Sequence, residues 1–185
     1  MSGIDFITDY EENKDDVQYW FSIKCEQKYH RFAELLMSKD EEPTWKNIVD
    51  LYRYDKRLIF NCHRYLSFLE EYLRATIVRN SSDKNEKYNE WQSKTVGNLK
   101  KPIIELYNNG LFKYDGDDIQ SDLELMRLLR NDVCHNHIIM ETDYHSSINA
   151  LRRLLPAQYK DSFVKIINGS CEDLCISNNW IVHLS

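Results

Sequence analysis

Leu58-Ile59-Phe60-Asn61-Cys62-His63-Arg64-Tyr65-Leu66-Ser67-Phe68-Leu69-Glu70-Glu71-Tyr72-Leu73-Arg74-Ala75-Thr76-Ile77 is the stretch that decides the fold class. Leu58, Cys62, Leu66, Leu69, Leu73 and Ile77 recur at three- and four-residue steps, the spacing that lines one buried face of an α-helix. Outward from it, the helical pattern extends from Trp45 to Arg79, with Thr44 placed to cap its start. A helix of that length is long for a compact domain, so a break is expected near Asp55.

The flanking segments read the same way. Val17 to Met37 mixes apolar and charged residues at helical spacing, and Lys39 to Pro43 is a charged break. Asn80 to Glu90 is polar and reads as an exposed loop. Leu99 to Asn109 predicts a short helix with Pro102 in its first turn and Gly110 ending it. Asp115-Gly116-Asp117-Asp118 reads as a turn whose acidic residues suit the start of the next helix, Ile119 to about Ile139. Thr142 or Asp143 caps a helix over Tyr144 to Leu155, and Pro156 opens a last one ending near Gly169. The only strand signal is a short piece at Trp180 to Leu184.

The expectation is an all-α bundle of five to seven helices in a single domain over residues 1–185, with its motif-bearing core at about 45–155. Five glycines and three prolines in 185 residues agree with long helices rather than many β-turns. A hydrophobic fraction of 42% and a charged fraction of 29% are those of a globular protein. No stretch approaches the ~18 apolar residues of a membrane span. The acidic start, Met1 to Glu12, lacks a signal-peptide pattern, so the expected setting is the cytoplasm. Five cysteines form no familiar disulfide or zinc framework. Cys171 and Cys175 with His183 make a weak metal-ligand pattern, and reduced, mostly buried thiols are the expectation, with no metal and no cofactor.

Chemistry concentrates at Arg130-Asn131-Asp132-Val133-Cys134-His135. A guanidinium grips phosphate, an imidazole moves protons near neutral pH, and an amide orients either. These groups suffice in principle to cut an RNA backbone without metal. With ten arginines and six histidines, a bare Arg-x4-His pair is expected ~0.3 times by chance. Requiring the adjacent Asn lowers that to ~0.03, so Asn131 carries most of the weight. Leu123, Met126 and Val133 define an apolar stripe on which Arg130 falls, a costly place for a charge unless it is paired or opens to a cleft. Asn131 and His135 share a side of the helix, whereas Arg130 and His135 diverge by ~140°. They converge only through a kink or across a second subunit. The bland alternative is an ion-paired arginine, a surface amide and a helix histidine. A net charge of −6 disfavours a general nucleic-acid binder but leaves room for a local basic cleft. The twelve tyrosines scatter through helical positions, as core residues do.

Leu129-Arg130-Asn131-x-x-Cys134-His135-Asn136 resembles the signature of HEPN domains, whose ribonuclease members carry Arg-Asn-x3-His. Ile48 to Leu58, followed by Leu69-Glu70-x-x-Leu73-Arg74-Ala75, resembles the Abi-like (abortive-infection) bacterial family, in which Leu-Tyr-x-Phe-Asp-Arg-x-Leu precedes Ile-Glu-x-x-Leu-Arg-Ala. Tyr29-His30-Arg31-Phe32 is similar to that family's upstream segment, with Glu34 and an aliphatic residue in place of its Gly and second Tyr. His137 stands where toxins paired with nucleotidyltransferase antitoxins carry Tyr.

The resemblance implies a HEPN-like helical bundle and RNA cleavage by 2′-hydroxyl attack, with Arg130, His135 and Asn131 as catalytic residues. Arg74, Asn136 and His137 are secondary candidates for substrate contact. It further implies a homodimer with a composite site, RNA as substrate, and an antitoxin or activator as regulator. Its competitor is a catalytically silent HEPN module binding RNA, a nucleotide or a protein.

Overall fold

The computed structural model describes residues 5–82 and 84–185, with the backbone alone for 84–87. Their regular structure is helical: α1 (Tyr10–Ile23), α2 (Glu26–Met37), α3 (Trp45–Arg79), α4 (Lys84–Gln92), α5 (Val96–Asn108), α6 (Ile119–Cys134), α7 (Tyr144–Leu154) and α8 (Ala157–Asn168). Two short 3-10 turns, Ile139–Glu141 and Gly169–Cys171, complete it.

Eight helices among the described residues exceed the five to seven expected. Lys24, extended at φ −136° and ψ 154°, splits the Val17–Met37 pattern into α1 and α2. Within the polar Asn80–Glu90 segment, Asn80 to Ser82 form a turn and bend, residue 83 lies outside the described residues, and the rest is helical as α4. The break expected at Asp55 is absent. Asp55 is fully buried inside an unbroken α3 and pairs with Lys56 Nζ at 3.0 Å.

The chain divides into two compact units. The first takes in the described residues up to Leu58 together with Gly169–Ile181. Its core is aromatic: Tyr29 lies 5.3 Å from both Trp45 and Tyr52, and Phe32 meets Tyr52 edge-on at 5.7 Å. Ile48, Leu51 and Tyr54 of α3 are fully buried beside them. The returning segment is tied by polar bonds. Arg57 donates to the Ser170 carbonyl at 3.1 Å, and Cys175 N–H donates to Asp50 at 3.1 Å.

The second unit, Ile59–Asn168 with Val182–Ser185, carries every residue expected at the RNA site. The predicted α3 stripe is buried from Leu58 through Ile77. Each such side chain withdrawn from water contributes about 1.5–3 kcal/mol before chain entropy is counted. α6 packs chiefly on α7 and α5, burying Leu123, Met126, Leu129 and Val133. α5 begins one turn earlier than expected, at Val96, because Thr95 and Asn98 form a capping box, and this leaves Pro102 inside the helix. The strand expected at Trp180–Leu184 is absent. Its alternating burial is real, with Trp180, Val182 and Leu184 inside. However, the Leu184 N–H and C=O both pair with the Asn168 side chain at 2.9 Å instead of a ladder.

Candidate functional site

α6 is fixed at both ends. Asp118 accepts from the N–H groups of Gln120 and Ser121 at 3.0 and 3.1 Å, satisfying two donors of the first turn. At the other end the helix stops at Cys134 rather than near Ile139. Asn136 takes a left-handed φ of 54°, Asn136 N–H donates to the Val133 carbonyl, and His137 N–H donates to the Asp132 carbonyl at 2.9 Å. That pattern closes the last carbonyls in a Schellman motif, with asparagine in the place glycine usually takes. The motif therefore spans a helix end: Arg130 and Asn131 lie in the last turns, and His135 sits on the C-cap.

Arg130 is not buried on the stripe. Its side chain is 38% exposed and donates from Nε to Glu70 Oε1 at 3.1 Å. The other oxygen, Glu70 Oε2, accepts from Arg74 Nη2 at 3.0 Å, and the same Nη2 reaches the Lys94 carbonyl at 2.9 Å. One carboxylate thus holds two guanidinium groups, one from α3 and one from α6. The Glu70–Arg74 pair matches its four-residue spacing, whereas the bond to Arg130 spans sixty residues of sequence. The available signal was physical: a charge on a core-facing line needs a counter-charge.

His135 is exposed, and its ring stacks at 5.7 Å on that of His137. His137 in turn faces Asp132, with Nδ1 to Oδ1 at 3.2 Å. Asn131 is half-buried, and its carbonyl accepts the His135 N–H at 3.0 Å. Among the described residues no hydrogen bond or ion pair joins Arg130, Asn131 and His135 side chain to side chain. α6 runs without a kink to Cys134, so by helix geometry Arg130 and His135, five residues apart, project from different sides. Arg74, a secondary candidate, does come to the Arg130 anchor, while Asn136 serves the backbone closure.

The surroundings are locally cationic despite the acidic whole. Lys100 from α5 and Arg127 from α6 both pair with Glu124, six residues before Arg130. Arg127 first and Lys100 second hold the Glu124 carboxyl far below its ordinary value, down to about 2. Burial instead pushes the Cys62 thiol up to about 12. The cysteines otherwise depart from expectation: all five are free, but Cys25, Cys134 and Cys175 are exposed. Among the described residues no three His, Cys, Asp or Glu side chains are grouped to hold a metal ion. No helix there is long and apolar enough to cross a membrane.

Two aromatic residues escaped the sequence reading, Tyr88 and Trp91 on α4. Their three-residue spacing was the signal, in a segment too polar to suggest a helix. Set against protein-family models, curated proteins and solved structures, the chain matches none.

Proposed function

We propose that this chain is a metal-independent endoribonuclease of HEPN type, serving an antiphage or toxin-type defence system in the cytoplasm. The observation that carries the proposal is the use Arg130 makes of its guanidinium. Glu70 takes Nε alone, so the Nη pair keeps no protein partner among the described residues, on a half-exposed side chain. That is how a phosphate-gripping fork is held in place and left able to grip. An exposed His135 at the end of the same helix supports the reading, as does the ordered resemblance of two segments to Abi-like and HEPN sequences.

The step is transesterification. The RNA 2′-oxygen forms a bond to the neighbouring phosphorus as the bond from phosphorus to the 5′-oxygen breaks. His135 takes the 2′-hydroxyl proton, and His135 of a second copy returns a proton to the leaving 5′-oxygen. Such acid–base help is worth about 10²–10⁴-fold. Arg130 stabilises charge on the non-bridging oxygens, and Asn131 positions phosphate or ring. The products are a 2′,3′-cyclic phosphate and a 5′-hydroxyl, and DNA is spared because it lacks the attacking group. Since Arg130 and His135 project from different sides of the end of α6, the reading takes a two-fold dimer to complete the site. An antitoxin or activator would restrain or release it.

Incubation of purified protein with a mixed RNA pool in EDTA tests this, beside an Arg130→Ala/His135→Ala variant. Cyclic-phosphate ends from the wild type alone are expected. Uncut RNA, bound equally by both proteins, would instead favour a catalytically silent binding module.

A further inference from the structure

The second half of α3 and the end of α4 enclose a cavity of about 660 Å³, within the size range of small-molecule sites. Tyr88 and Trp91 supply aromatic surface, Val78 and Ala75 an apolar floor, and Arg74 and Arg79 positive charge. Among the described residues, Arg74 Nε and Trp91 Nε1 are buried with no acceptor. Leaving a buried donor unpaired costs about 1–3 kcal/mol. Both orphans are donors, so the partner that would relieve them brings acceptor oxygens or ring nitrogens. Aromatic faces, guanidinium groups and unmet donors together describe a flat heteroaromatic ring carrying an anionic group.

We propose that this cavity takes one unstacked nucleotide of an RNA strand, its base against Trp91 and Tyr88 and its phosphate toward Arg74 and Arg79. The inference rests on the nuclease reading for its substrate and adds where the strand is held. Arg74 lines the cavity and shares the Glu70 carboxylate with Arg130. A base seated here thus has its phosphate gripped by the neighbour of the cleaving arginine, and the pocket selects which linkage is cut. Gln92 and Glu71, also in the wall, offer an amide and a carboxylate to read the base edge.

The test is calorimetric titration of the Arg130→Ala/His135→Ala protein, which cannot cut what it binds, with 5′-AMP, 5′-GMP, 5′-CMP, 5′-UMP and ribose 5-phosphate, and then with a four-residue RNA. At least one nucleotide should bind about tenfold or more tightly than ribose 5-phosphate, and Trp91→Leu should remove about that factor, as loss of a stacking partner does. Tyr88→Ala, at a side chain 55% exposed, is the second variant and should weaken binding with the fold intact. The four-residue RNA should bind more tightly than any mononucleotide. No nucleotide binding, or binding that ignores both variants, overturns the site. A mononucleotide as tight as the RNA overturns the assignment to a strand. Binding by the pocket with no cleavage by the wild type would sink the nuclease reading and leave the cavity standing.

Discussion

Arg153 and Arg130 belong to the same unit, are similarly exposed, and face carboxylates with little exposure of their own, yet they use their guanidinium groups in opposite ways. Arg153 commits both Nε and Nη2 to Asp122 at 2.6 Å, and the Tyr114 hydroxyl donates to the same carboxylate at 2.6 Å. Arg130 commits one nitrogen to a carboxylate that Arg74 already neutralises. The first arrangement is closed, with every strong bond directed inward. The second is anchored at one point and open at the fork. An arginine is a structural or a working group according to how many of its donors the protein itself consumes.

Removal separates the two roles. Arg153→Ala leaves the Asp122 carboxylate buried beside a hydroxyl alone, and breaking such a pair costs about 3–5 kcal/mol; urea denaturation should show it. Arg130→Ala leaves Glu70 with Arg74, so its stability cost should stay within the roughly 1 kcal/mol of an exposed pair. A loss at Arg130 as large as that at Arg153 would erase the distinction.

The two helix ends sharpen it further. α5 closes on Gly110 at φ 72° and α6 closes on Asn136 at φ 54°. An L-residue without asparagine's local tolerance pays for that conformation, so Asn136→Ala should cost about 1–2 kcal/mol, while Asn136→Gly should be near neutral. Thermal melts of the pair test whether the end of α6 is held by backbone geometry.

A smaller effect lies in the alkaline range. Burial first, and the bond to Asp122 second, push the Tyr114 phenol above the ordinary tyrosine value. A group whose folded pKa is raised adds stability that is complete below its unfolded value of about 10 and is lost as pH rises through the folded one. Melting temperature should therefore fall above pH 10 in the wild type and fall less in Tyr114→Phe.

Much of this architecture is legible in the residues. The α3 stripe, the α6 stripe, the acidic start of α6 and the Gly110 stop follow from period, helix dipole and capping chemistry, which act within a few residues. The misreadings have local causes too. α4 is mostly polar in sequence, and the Tyr88–Trp91 spacing alone is too little to mark a helix. α6 ends at Cys134, short of the Ile139 that the pattern suggests, because asparagine, unlike glycine, also occurs inside helices. Trp180 to Leu184 alternates in burial without pairing as a strand. The site was half legible. Arg130, Asn131 and His135 stand out as a motif, and Glu70 with Arg74 as a spaced pair. That Glu70 would join Arg130 is a tertiary fact, carried by no local pattern.

The most direct test compares single-turnover RNA cleavage, in EDTA, by Arg130→Lys and Arg153→Lys under conditions where both are folded. Lysine keeps the charge and loses the fork. The account predicts that Arg130→Lys loses cleavage with its stability kept, and that Arg153→Lys is less stable yet still cuts RNA to cyclic-phosphate ends. Full cleavage by Arg130→Lys would contradict it.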